Sequence, residues 1–171
     1  MSIAVTLVLG GARSGKSRYA ETLVALSGLT PVYLATAASL DDEMGERIAH
    51  HRDRRGGEWI TIEEQFALPE TIAREARPDR ILLVDCLTLW LSNLTFAERD
   101  IPAEQARLVA QLADCPGPVI LVSNEIGMGL VPETALGRRF RDAQGRLNQG
   151  VAEVASRVVF VAAGLPLVLK G

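Results

Sequence analysis

Cysteine and histidine are both scarce in this chain, with two residues of each. Cys86 and Cys115 are too few and too far apart in sequence for a zinc site or a disulfide framework, and they read as ordinary buried thiols of a cytoplasmic protein. The adjacent histidines, His50 and His51, lack a third ligand at suitable spacing, which argues against zinc. Charge of one sign is also missing in excess: 18 Lys and Arg face 21 Asp and Glu, a net charge of -3. That balance leaves no electrostatic footprint for nucleic acid, so a small ligand is expected. Long hydrophobic runs are absent too. The longest, Val158 to Leu169, is interrupted by Gly164 and Pro166 and falls short of the roughly 20 residues that cross a bilayer, so no membrane role is expected. No basic segment leads into a cleavable apolar one, and neither repeats nor linkers divide the chain. With 171 residues, 48% of them hydrophobic, one compact domain over residues 1–171 is expected.

Against these absences stands one dense motif. Gly10-Gly11-Ala12-Arg13-Ser14-Gly15-Lys16-Ser17 follows the apolar run Ile3 to Leu9 and matches G-x-x-x-x-G-K-S at every position. Glycines let the backbone curl so that its N–H groups point inward, and the following helix adds the positive end of its dipole. The result is an anion cradle in which Lys16 reaches β- and γ-phosphates and the Ser17 hydroxyl binds Mg²⁺. The motif specifies a nucleoside triphosphate and leaves the reaction open.

Downstream, strands and helices alternate. Apolar spacing predicts a helix over Arg18 to Leu26 closed by Gly28, and a short strand over Pro31 to Thr36. Ser39 and Asp42 form a capping-box pattern opening a second helix through about Arg54, and Trp59 to Glu63 alternates as an edge strand does. A helix follows over Pro69 to Arg77. Ile81-Leu82-Leu83-Val84-Asp85 is a buried parallel strand ending in a carboxylate. Helices over Thr88 to Leu94 and Ala103 to Leu112 flank a polar loop at Arg99 and Asp100. A strand over Val119 to Ser123, a long helix from Ala135 to Arg157, and strands over Val158 to Val161 and Leu167 to Leu169 complete the series. Such alternation implies α/β architecture: a three-layer P-loop nucleotide hydrolase fold with a mostly parallel central sheet. Ligands gather at the carboxyl ends of its strands, which singles out Gly10 to Ser17, Thr36, Asp85 and Asn124-Glu125. Asp85 is placed either as a Mg²⁺-associated acid or as the start of a turn.

On the second helix Met44, Ile48 and His51 share an apolar stripe, whereas His50 lies one step round with Glu46, Arg47, Asp53 and Arg54. His51 reads as a packed residue. His50 reads either as solvated surface or as a nucleophile toward phosphorus, with Arg47 and Arg54 to hold phosphate oxygens. The Asn-Lys-x-Asp pattern of signalling GTPases is absent, so any choice of guanine falls to other groups.

Several of these segments together resemble one enzyme family. The phosphate loop, Asp41-Asp42-Glu43-Met44 leading into Arg47-Ile48-Ala49-His50-His51, Trp59, and Ser123-Asn124-Glu125-Ile126-Gly127-Met128-Gly129-Leu130-Val131-Pro132-Glu133 are similar to the bifunctional adenosylcobinamide kinase / adenosylcobinamide-phosphate guanylyltransferase of cobalamin biosynthesis. The resemblance extends to Gly164-Leu165-Pro166 and Leu169-Lys170, and departs at the connection Glu98 to Pro102, which is shorter than in some relatives. It implies phosphorylation of adenosylcobinamide with ATP or GTP, then transfer of GMP from GTP to the new phosphate with release of pyrophosphate. It also implies that His50 becomes guanylylated, and that nucleotide is contacted by Gly10 to Ser17, by Ala35, Thr36 and Ala37, by His51, Arg52, Asp53 and Arg54, by Glu63 and by Asp85. Asp85 stands as a guanine contact or a Mg²⁺ partner, with Ser17 as the other metal ligand. A homotrimer is implied as well. Two other readings remain beside it: a simple small-molecule kinase, and a nucleotide-gated interaction module without turnover.

Overall fold

A computed structural model describes residues 5–37 and 59–171. The capping box at Ser39, the helix expected to follow it, and His50, His51, Arg52, Asp53 and Arg54 lie outside the described residues.

Strand β1 (Val5–Gly10) is buried along its whole length and occupies an inner position of a seven-stranded sheet. Around it stand β2 (Thr30–Ala35), β3 (Ile60–Glu63), β4 (Arg80–Asp85), β5 (Val119–Asn124), β6 (Arg157–Ala162) and β7 (Leu165–Lys170), in the order β3-β2-β4-β5-β1-β6-β7. Every pairing is parallel except β6 with β7, which form an antiparallel hairpin. The expected α/β, mostly parallel sheet is therefore the observed one, and β3 lies at the edge as its alternating pattern implied. All six residues of β7 are exposed at the opposite edge.

The helices are α1 (Lys16–Ser27), α2 (Leu68–Glu75), α3 (Leu87–Phe96), α4 (Ile101–Ala113) and α5 (Ala135–Val154). Strand alternation divides the core into two layers. Leu7, Leu34, Leu82, Val84 and Leu121 pack toward α2 to α5, against Leu68, Trp90, Leu91, Leu108 and Leu147. Val8, Tyr33, Leu83, Ile120 and Val122 pack toward Ala20 and Val24 of α1.

Several boundaries differ from the sequence reading, three of them for a clear local reason. Helix α1 begins at Lys16 rather than Arg18, because Gly15 takes the left-handed conformation (φ 94°) that turns the loop into the helix, so Lys16 and Ser17 belong to the first turn. The polar loop at Asp100 is a cap: its carboxylate accepts from the Ala103 amide at 3.1 Å, and α4 starts at Ile101. Helix α5 stops at Val154 instead of Arg157, since Ala155 turns extended and the Ser156 amide donates to the Val5 carbonyl, leading into β6.

Candidate active site

The phosphate loop leaves β1 at Gly10, where any Cβ would run into the Ser14 hydroxyl and the Val161 carbonyl. Only glycine fits between them. Within the loop the Ser14 amide donates to the Gly11 carbonyl at 3.3 Å, and Lys16 Nζ donates to the same carbonyl at 3.1 Å. The ammonium has three donors, so this bond holds it at the loop while leaving two for a ligand. Arg13 is exposed at a φ of 55° and Ala12 is exposed beside it, while Ser17 is half-buried in the first turn of α1. The turn of the β6–β7 hairpin also reaches the loop: the Gly164 amide donates to the Ser14 carbonyl at 2.8 Å. A cavity of about 310 Å³ opens there, lined by Arg13, Ser14, Gly15, Arg18, Tyr19 and Gly164 among others.

Three strand ends bring further expected residues to one height. Ala35 pairs with Glu63 on one side and with Asp85 on the other. Alternation sets the facing: Ile81 and Leu83 belong to the layer beneath α1, so Asp85 projects on that face, as do Ala35 and Tyr33 on β2. Glu63 is exposed at the sheet edge and Asp85 is half-buried, with its carboxylate accepting from the Tyr33 hydroxyl at 3.4 Å. Tyr33 in turn stands edge-on to Trp59, ring centroids 6.4 Å apart. Ala37 follows in the half-buried loop after β2.

Thr36 is fully buried and has a structural duty. Its hydroxyl donates to the Cys86 carbonyl at 2.7 Å and accepts from the Cys86 amide at 2.8 Å, while its own carbonyl accepts from Asn93 Nδ2 at 2.8 Å. The ends of β2 and β4 are thereby stapled together, which fixes where Asp85 stands. The Asp85–Cys86 peptide is cis. Burial, aided by the neighbouring Asp85 charge and opposed by a smaller lowering from Lys16, pushes the Cys86 thiol up to about 12. Lys16, in the first turn after the β1 loop, and Asp85, at the end of β4, both stand at the carboxyl edge of the sheet. Contrary to the expectation of two buried thiols, Cys115 is only half-buried, and its pKa is raised chiefly by that partial burial. Alkylation of the native protein at pH 8 is therefore expected at Cys115 and absent at Cys86 until denaturant is added, as peptide mapping would show.

Sequence reasoning missed a buried polar triad behind β5. Ser123 Oγ donates to Asn148 Oδ1 at 2.7 Å, and Gln144 Nε2 donates to both Ser123 Oγ and Asn148 Oδ1 at 3.0 Å. Its signal was present: Gln144 and Asn148 are i, i+4 on a helix stripe otherwise made of Ala143, Leu147 and Val151. Glu125, singled out above as following a strand end, accepts the Gly127 amide at 2.5 Å. Among the described residues no group of three or more His, Cys, Asp or Glu could hold a metal. Mg²⁺ asks for less, because phosphate oxygens and water complete its shell, and the hydroxyl of Ser17 with the carboxylate of Asp85 are hard oxygen donors of the kind it takes.

Comparison with known proteins assigns the chain to a family. The model of the cobinamide kinase / cobinamide phosphate guanyltransferase family, CobU, matches residues 6–169. The chain belongs to this family. It is accordingly a bifunctional kinase and guanyltransferase. Relatives of similar length include the bifunctional adenosylcobalamin biosynthesis protein CobP of Pseudomonas aeruginosa, 53% identical over 96% of each chain. The protein of Escherichia coli named bifunctional adenosylcobalamin biosynthesis protein CobU is 42% identical over 96% of this chain and 98% of its own. Among solved structures the fold resembles a RadB recombinase (TM-score 0.55, 16% identity, 92% of this chain and 73% of that one). It also resembles the flagellar accessory protein FlaH of Methanocaldococcus jannaschii (TM-score 0.51, 12% identity, 98% and 78%). At such identities the likeness concerns the fold alone. No helix among the described residues is long and apolar enough to cross a membrane.

Proposed function

We propose that this family member phosphorylates adenosylcobinamide with ATP or GTP and then guanylylates the product through His50. The observation that carries the reading is the phosphate loop after β1 and Asp85 at the end of β4 standing at the carboxyl edge of one sheet, in a chain that matches the family from residue 6 to residue 169. In the first step the substrate hydroxyl attacks the γ-phosphorus, the bond to the bridging oxygen breaks, and the nucleoside diphosphate leaves. Lys16 and the loop amides stabilise the charge that develops on the departing oxygens, while Ser17 and Asp85 would hold the Mg²⁺ that neutralises it. In the second step a ring nitrogen of His50 attacks the α-phosphorus of GTP, forming a P–N bond as pyrophosphate leaves. An oxygen of the cobinamide phosphate then takes the GMP and frees the histidine, giving adenosylcobinamide-GDP. The nucleotide reaches residues 10 to 17, Ala35 to Ala37, His51 to Arg54, Glu63 and Asp85. We place the enzyme in the cytoplasm as a homotrimer.

Two labels test the scheme. With γ-labelled ATP the corrinoid is expected to become labelled, and with α-labelled GTP the protein itself, through an acid-labile and base-stable bond. Labelled corrinoid without labelled protein would leave a simple small-molecule kinase. GTP binding with neither transfer would leave a nucleotide-gated module.

A further inference from the structure

Strand β5 runs between β1, which bears the phosphate loop, and β4, which bears Asp85. Its last residue, Asn124, stands in register with Gly10. Ile120 and Val122 lie in the layer under α1, and Ser123 turns the other way toward Asn148 and Gln144. Alternation then sends the Asn124 side chain to the α1 face, the face on which Asp85 projects and at whose edge Lys16 stands. The backbone of this residue is fixed on every side. Its amide donates to Thr88 Oγ1 at 2.9 Å, its carbonyl accepts from Asn148 Nδ2 at 3.2 Å, and the next amide, of Glu125, donates to the Gly10 carbonyl at 3.0 Å. Asn148 is itself held by Ser123 and Gln144. The half-buried Asn124 carboxamide takes part in no hydrogen bond within the described residues. A rigid strand end thus presents a neutral donor, with nothing among the described residues to occupy it, between a cation and an acid.

We infer that the Asn124 carboxamide is a catalytic residue of the kinase step, its Nδ2 donating to an oxygen of the γ-phosphoryl group during transfer. The inference rests on the reading that residues 10 to 17 hold a triphosphate. A neutral donor suits this place: it adds no charge beside Lys16, and it favours the planar phosphoryl group held between donor and acceptor oxygens over the same group in the ground state. The buried triad is what keeps it aimed, since its bonds join the Ser123 hydroxyl to Gln144 and Asn148, and Asn148 in turn donates to the Asn124 carbonyl.

Asn124→Ala is expected to lower kcat for cobinamide phosphorylation about 10²-fold to 10³-fold, with KM for the nucleotide changed less than about threefold. Asn124→Asp keeps the shape and replaces the donor with a negative acceptor, so its kcat is expected to fall further. A second readout needs no turnover. ADP with aluminium fluoride, a mimic of the transferring group, is expected to raise the melting temperature of the parent enzyme above the value with ADP alone, and to lose that increment in Asn124→Ala. A kcat within about threefold of the parent together with an intact aluminium fluoride increment overturns the assignment. A parent enzyme that phosphorylates no cobinamide overturns the underlying reading instead.

Discussion

His50→Ala is expected to abolish the guanylyl-protein and to cut guanylyl transfer by at least about 10³-fold, while phosphorylation of the corrinoid stays within about threefold of the parent. The asymmetry follows from which bond each step breaks. Guanylyl transfer breaks the α–β link, and in the two-step route a nitrogen must first bond to the α-phosphorus. Alanine supplies no such atom. The residual rate is then that of direct attack by the cobinamide phosphate, an anion approaching an anion. Phosphorylation breaks the β–γ link and relies on the loop at residues 10 to 17, which does not pass through position 50. Chromatography of the protein after α-labelled GTP, scored beside corrinoid phosphorylation in one preparation, reads both effects. Persistent labelling of the variant would remove His50 from the role.

Lys16→Ala is expected to behave differently, by lowering both activities about 10²-fold to 10³-fold. Its ammonium stands in the loop that grips the triphosphate in either reaction, so neither step escapes its loss. The fold should survive. Lys16 is half-buried, and among the described residues its Nζ bonds only to the Gly11 carbonyl, a loss worth about 1 kcal/mol. Equal melting curves with a joint fall in both rates would set Lys16→Ala apart from His50→Ala, and full kinase activity in the lysine variant would sink the phosphate-loop assignment.

Much of the architecture was legible because its signals are local. The aliphatic runs at 81–84 and 119–122 are buried on both faces, as parallel strands between helices must be, and the glycine-rich loop names its own geometry. What sequence could not show are bonds between distant residues. Thr36 follows a strand end, and its hydroxyl bonds the backbone of Cys86, fifty positions on. Nothing near Asp85 announced the Tyr33 hydroxyl, and the Ser123–Gln144–Asn148 triad joins a strand to a helix that begins eleven residues beyond β5. Such pairs exist only once topology has brought them together. The facing argument for His50 and His51 falls on residues outside the described ones, so its test is the labelling experiment.

The bond from Gly164 to Ser14 has a consequence for the birth of the enzyme. The triphosphate loop leaves the ribosome well before its partners: its strand pairs with Val119 to Asn124 and Arg157 to Ala162, and its rim is closed by Gly164, about 150 residues after Ser14. At typical synthesis rates roughly 8 to 30 seconds separate the loop from that turn. During that interval β1 is an unpaired apolar strand in need of shelter, and nascent chains arrested before β6 should hold no nucleotide however complete their motif.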